Sequence, residues 1–168
     1  YNTKKGNYFL FNSRHEKNKR IQEVINIFKN NSNLKLILTN SGSLTEGLIK
    51  KNIKFKNILF KNNLSFKKYL IILKKSKCVI MIPKNEDFGM SAIEALACNK
   101  PVITINEGGL SEIFPKNYKL YINDENTEKS LSKLITDFDK YSFSSSYFKK
   151  ISNRFEISFF VKMLIKSI

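Results

Sequence analysis

Two short apolar runs, Cys78-Val79-Ile80-Met81-Ile82 and Val102-Ile103-Thr104-Ile105, limit what this chain can fold into. Both are rich in β-branched side chains and bounded by turn formers, the pattern of strands buried on both faces of a parallel sheet. The small-residue segment between them, Ser91 to Cys98, predicts a helix smooth enough to lie flat on that sheet. Each strand runs into a glycine loop and a helix start: Asp87-Phe88-Gly89-Met90 after the first, Glu107-Gly108-Gly109-Leu110 after the second. Unpaired N–H groups at a helix start favour an anion, and glycine lets a ligand approach the backbone closely. Ligands of open α/β sheets bind at the carboxyl ends of the strands. Two such loops side by side point to a phosphate-bearing ligand, with backbone N–H groups near Gly89-Met90 and Gly109-Leu110 as donors.

The rest of the chain repeats the alternation. Tyr8 to Phe11, Leu34 to Leu38, Ile58 to Phe60 and Tyr118 to Ile122 read as further strands. Ile21, Val24, Ile25 and Phe28 mark one face of a helix, as do Phe66, Tyr69, Leu70 and Leu73, and Leu131, Leu134, Ile135 and Phe138. Ser43 to Glu46 reads as a capping-box start, Ser65 as a helix cap, and Thr127 as the start of a helix. Tyr141 to Tyr147 reads as a connection. A final helix from Glu156 would carry Ile157, Phe160, Val161 and Leu164 inward. Strands alternating with helices mean an α/β, Rossmann-like parallel sheet with helices on both faces.

At 168 residues the length suits one domain. Residues 1–6 read as a linker remnant and 7–168 as the domain; a chain starting at Tyr1 reads as a piece of something longer. No apolar run approaches the roughly 20 residues that span a bilayer. Cys78, Cys98 and the single His15 have no metal-ligand spacing, so neither a zinc site nor a disulfide is expected, which fits a cytoplasmic setting. His15 reads as an exposed, non-catalytic residue. The formal net charge of +16 invites a basic nucleic-acid-binding reading. The lysines are scattered through every segment, however, and the only arginines are Arg14, Arg20 and Arg154. No stripe is built for nucleic acid; an anionic membrane surface remains a partner for such a charge.

Two constellations carry chemistry. Glu86 and Glu94 frame the first glycine loop, and carboxylates accept hydrogen bonds from vicinal hydroxyls. Glu86 alone also reads as a solvated loop acid, and Ser91 with Glu94 fits a capping box that needs no ligand; both readings stand at this point. Arg14, directly after the first strand, and Lys19, near the next helix start, would suit a diphosphate, the arginine as a fork and the lysine as a point charge. In so basic a chain both also read as surface residues.

Together these residues resemble the donor-binding domain of retaining glycosyltransferases of family 4, the C-terminal half of a GT-B fold. The likeness rests on Glu86, Phe88-Gly89, Glu94-Ala95-Leu96-Ala97, Pro101-Val102 and Gly108-Gly109-Leu110-Ser111-Glu112. It extends to Ser13-Arg14 with Lys19, and to Asn153-Arg154-Phe155, which resembles the family's closing helix. Asn99 replaces a usual glycine, Ser13 another, and Thr39-Asn40-Ser41 a glycine-rich turn. The resemblance implies a nucleoside-diphosphate sugar as donor, a GDP-mannose or UDP-hexose, with mannose or glucose passed to a glycan or lipid-linked acceptor in polysaccharide biosynthesis. It implies that Arg14 and Lys19 contact the diphosphate, Glu86 the sugar and Glu94 the ribose, with Phe88, Gly89, Met90, Gly108 and Gly109 around the donor. Glu86, Arg14 and Lys19 would carry the catalytic roles. No cofactor or metal is implied. The acceptor-binding N-terminal domain would be missing, leaving this domain inactive alone. Another GT-B enzyme, such as a sugar-nucleotide epimerase, is the alternative within the fold.

Overall fold

The computed structural model describes residues 6–156. The helix expected from Glu156 onward and residues 1–5 of the expected linker lie outside the described residues. Six parallel strands form one sheet: β1 (Phe9–Phe11), β2 (Leu36–Thr39), β3 (Ile58–Lys61), β4 (Cys78–Met81), β5 (Val102–Ile105) and β6 (Tyr121–Ile122). Their order is β3-β2-β1-β4-β5-β6. Leu10 of β1 is opposite Ile37 on one side and Val79 on the other.

The helices are α1 (Ile21–Lys29), α2 (Thr45–Asn52), α3 (Phe66–Lys75), α4 (Met90–Ala97), α5 (Gly109–Ile113), α6 (Thr127–Thr136) and α7 (Ser145–Ser152). Connections run outward in opposite directions from β1 and from β4. Right-handed crossovers therefore put α1 on one face and α4 on the other. Helix α6 packs beside α1, and α7 beside α4. Every residue of β1, β2, β4 and β5 is buried. This is why these strands read as continuous apolar runs rather than alternating ones. Phe9 anchors one layer, meeting Phe28 of α1 and Phe138 edge to face.

The differences from the sequence reading are local. Helix α4 begins at Met90 because Gly89 (φ 86°) is its N-cap, so Ser91 lies inside the helix and cannot form the capping box with Glu94. Leu44, not Ser43, precedes α2, and Ser43 donates instead to Glu16. Ser65 stands at the N-cap of α3, but its hydroxyl accepts no helix N–H. The connection expected over Tyr141 to Tyr147 ends early: Ser144 caps α7 by accepting from the Tyr147 N–H. Asn153–Phe155 closes the described chain as a single 3₁₀ turn. Asn99 takes the left-handed conformation (φ 56°) that its place after α4 requires.

Candidate functional site

The strand order reverses between β1 and β4, and crevices open at such points. The two strands flanking the reversal are the ones whose carboxyl ends carry the cations and the acids. Past β1 the chain continues as Asn12-Ser13-Arg14; past β4 it reaches Glu86. A recess of about 300 Å³ between them is lined by Arg14, Lys19, Glu86, Phe88, Gly89 and Met90, among others. Arg14 also borders a second recess of about 550 Å³, reached by Asn40, Asn63, Leu64, Phe66 and Tyr69. Both volumes fall in the range of small-molecule sites. A cavity of similar size, about 320 Å³, lies at the amino ends of β4 and β5 beside Lys77 and Lys100. It is remote from the carboxyl ends where ligands of such sheets bind.

Lys19 and Glu86 are joined directly. Lys19 Nζ donates to Glu86 Oε2 at 2.7 Å, and both side chains are largely shielded from solvent. The lysine is placed by a 3₁₀ turn, Lys17–Lys19, wedged between β1 and α1. The Lys84 N–H bonds the Asn18 carbonyl at 2.7 Å, so the two loops are stitched by backbone as well. Arg14 is exposed at the mouth. The neighbouring Arg20 points elsewhere: it is buried and pairs with Asp124 and Thr127 at the start of α6.

Glu94 is reached through an intermediary. Asn12 Nδ2 donates to the Tyr69 hydroxyl at 2.7 Å, and that hydroxyl donates to Glu94 Oε2 at 2.7 Å. Burial first, and then the Glu94 carboxylate, push the Tyr69 phenol well above its ordinary value, so it remains a donor. Tyr69 is a residue of the site that sequence reasoning assigned to a core face.

Glycines of the second loop serve the first. A Cβ at Gly108 would strike the Glu86 carbonyl, and one at Gly109 the Asp87 carbonyl. The Gly109 N–H donates to the Glu86 carbonyl at 2.8 Å, so that amide is already engaged. The Gly108-Gly109 pair thus braces the backbone that carries Glu86. Gly89 is held close as well: a Cβ there would lie 2.8 Å from Leu110 Cδ2. Phe88 is half exposed and meets Phe155 edge to face; Met90 is exposed beside it.

His15 differs from expectation. It is fully buried beneath the loop after β2, edge to face with Phe60. Its Nε2 faces the Thr39 carbonyl at 3.1 Å, which can only accept, so Nε2 carries the proton. Its Nδ1 then accepts from the Thr45 hydroxyl at 3.0 Å, which itself accepts from the Gly42 N–H. Burial lowers the imidazole pKa, with the Thr39 carbonyl opposing more weakly. The neutral ring is a pin for residues 40–45, behind Arg14.

No group of three or more His, Cys, Asp or Glu able to hold a metal ion occurs among the described residues. The arrangement can do two things chemically. Its cations can meet a phosphate at a strand end, and its carboxylates can accept from hydroxyls.

The family described as glycosyl transferases group 1 matches the chain over residues 2–152. An uncharacterized glycosyltransferase of Methanocaldococcus jannaschii is 32% identical over 93 residues, 50% of this chain and 26% of that protein. The chain therefore spans about a quarter of that relative's length. Among solved structures, Anabaena HepE in complex with UDP and glucose superposes with a TM-score of 0.77 at 16% identity, over 98% of this chain and 48% of that one. The pneumococcal O-GlcNAc transferase GtfA, in complex with UDP and GlcNAc, gives 0.72 at 16% identity, over 97% and 35%. At such identities the structures speak for the fold, which is one half of a GT-B architecture.

Proposed function

The chain belongs to the glycosyl transferases group 1 family, and from that premise we propose that it is the donor-binding domain of a retaining hexosyltransferase. The donor is a nucleoside-diphosphate sugar, with GDP-mannose and UDP-hexoses the leading chemistries. The observation that carries the reading is the convergence of Lys19, Arg14 and Glu86 on one recess where the strand order reverses. HepE and GtfA are each in complex with UDP and a sugar, which supports a nucleotide-bearing donor.

In this reading Arg14 and Lys19 neutralise the diphosphate as the glycosidic bond breaks and charge gathers on the leaving group. That is electrostatic stabilisation by fixed cations, with no metal or cofactor involved. Glu86 keeps Oε1 for hydroxyls of the donor sugar while Lys19 holds Oε2. Glu94 takes the ribose hydroxyls. The recess by Asn63, Leu64 and Phe66 receives the base, which places base selectivity in the loop after β3. Phe88, Gly89 and Met90 border the diphosphate and sugar, while Gly108 and Gly109 act by holding the Glu86 backbone.

The acceptor, a glycan or lipid-linked saccharide of polysaccharide biosynthesis, would be bound by an N-terminal domain across the cleft. These 168 residues alone would bind nucleotide weakly and transfer nothing. No helix among the described residues is long and apolar enough to cross a membrane. We place the protein in the cytoplasm, with its net charge of +16 favouring an anionic inner membrane face. Vesicles with and without anionic lipid test that placement, and equal binding to both would refute it.

A thermal-shift panel of UDP, GDP and ADP sugars tests the donor assignment, because a ligand of the folded state raises Tm. A shift with one of these nucleotides is the expected result. No shift with any of them at millimolar concentration would refute it.

A further inference from the structure

We propose that Tyr69 is a positioning residue that orients Glu94 and so sets a preference for ribonucleotides over 2′-deoxyribonucleotides. This rests on the nucleoside-diphosphate reading above.

The hydrogen-bond direction is fixed by chemistry. The Glu94 carboxylate can only accept, so the Tyr69 hydroxyl gives it its single proton. The hydroxyl must then accept from its other neighbour, and the Asn12 amide nitrogen supplies that donor at 2.7 Å. Turning the Asn12 amide over would set its oxygen against a hydroxyl with no proton left to give. Asn12 is only 2% exposed, so water does not replace this donor freely. The main-chain carbonyl of Asn12 accepts from the Asn40 side chain, which holds the Asn12 backbone in place. A chain of donors thus runs from the Asn12 side chain through Tyr69 to Glu94, and it crosses from the loop bearing Arg14 to the helix bearing Glu94.

The consequence falls on the free oxygen. Glu94 Oε2 is committed to Tyr69, and Oε1 has no hydrogen-bond partner among the described residues. A carboxylate anchored at one oxygen presents the other in a single direction, and a fixed acceptor suits a vicinal diol. Without the phenol no other side-chain hydrogen bond among the described residues holds the Glu94 carboxylate, since Ser91 is inside α4 and forms no capping box with it. Tyr69 also borders the recess assigned to the base, packed beside Phe66 with ring centroids 6.3 Å apart. The residue that orients the ribose acceptor therefore also walls the base, and truncation to Phe removes one function while keeping the other.

The test is calorimetric titration of the 168-residue chain with UDP and GDP, each against its 2′-deoxy counterpart, and with inorganic pyrophosphate. The wild-type chain should favour the ribose form of its nucleotide by about tenfold, the worth of a charge-assisted hydrogen bond. In Tyr69→Phe that ratio should fall toward one while pyrophosphate affinity stays within twofold. In a Glu94→Ala background, which removes the acceptor altogether, Tyr69→Phe should change the ratio no further. Asn12→Ala, which removes the donor behind the phenol, should lower the ratio at least threefold and serves if Tyr69→Phe does not fold. A wild-type chain that binds no nucleoside diphosphate would end both the donor assignment and this inference. Ribose preference that is absent in the wild type, or survives Tyr69→Phe intact, would overturn the role of Tyr69 alone. Parallel loss of pyrophosphate and nucleotide affinity would do the same, since it would mark a general structural effect.

Discussion

Lys19 Nζ stands 2.7 Å from Glu86 Oε2 and ties the loop after β1 to the loop after β4 across the reversal in strand order. The side chains are 13% and 17% exposed, so the pair is shielded more than a surface ion pair and less than a core one. Removing the lysine leaves a shielded carboxylate without its partner. Lys19→Ala should therefore cost about 1–3 kcal/mol of stability, between the surface and buried extremes. Glu86→Gln, which keeps an acceptor at the same place, should cost less. Urea unfolding of the two variants checks the order.

The glycines make a second, opposed pair of expectations. A Cβ at Gly109 meets the Asp87 carbonyl and, at 2.8 Å, Phe88 Cα, both backbone atoms. Gly109→Ala should destabilise by about 1–3 kcal/mol, as overpacking does, and displace the loop that bears Glu86. Gly47, inside α2, has nothing within 4 Å of the same position. Gly47→Ala should stabilise by about 0.5–1 kcal/mol through helix propensity. Melting temperatures of the two variants should move in opposite directions.

His15 gives the fold a dependence on pH. Its pKa in the folded chain is lowered, chiefly by burial, below the unfolded value of about 6.5. Above that value both states carry a neutral ring and the contribution is flat. Between it and the lower native pKa, the unfolded chain binds a proton that the folded chain refuses. Stability therefore falls as pH falls through this window. Denaturant midpoints between pH 7 and 5 should decline more steeply for the wild type than for His15→Gln. Equal slopes would show that the ring titrates freely.

The cysteines should be inert in the native state. Cys78 is fully buried and its thiol is pushed far up by desolvation; Cys98 is half-buried and raised for the same reason. Since the thiolate is the reactive form, an aromatic disulfide reagent at pH 7 should label Cys78 only on unfolding. Cys98 should react slowly.

Much of this was legible in the chain itself. The apolar runs at Cys78 and Val102 announce buried parallel strands because β-branched residues crowded without alternation have few other places to go. Arg14, Lys19, Glu86 and Glu94 could be picked out because each stands beside a strand end or helix start. Tyr69 was hidden by its spacing: it shares a helix face with Leu70 and Leu73, and periodicity does not separate a core tyrosine from one whose hydroxyl serves a carboxylate. His15 was hidden because a single polar residue between two loops has no period at all, and its burial depends on Phe60 and Thr45 arriving from distant segments. The bracing by Gly108 and Gly109 is likewise a contact between loops, whereas their sequence context suggested amides free for a ligand. Helix α7 was obscured by a serine-rich start, in which Ser144 turned out to be its cap.

The proposed convergence of Arg14 and Lys19 on one diphosphate is tested most directly by calorimetric titration of the best-bound nucleoside diphosphate into the wild-type chain, Lys19→Ala, Arg14→Ala and a distant control, Lys129→Ala on α6. Loss of a charge-assisted phosphate contact predicts at least about tenfold weaker binding for each of the first two, with the control unchanged. Wild-type affinity in both Lys19→Ala and Arg14→Ala would contradict the assignment of this recess as the donor site.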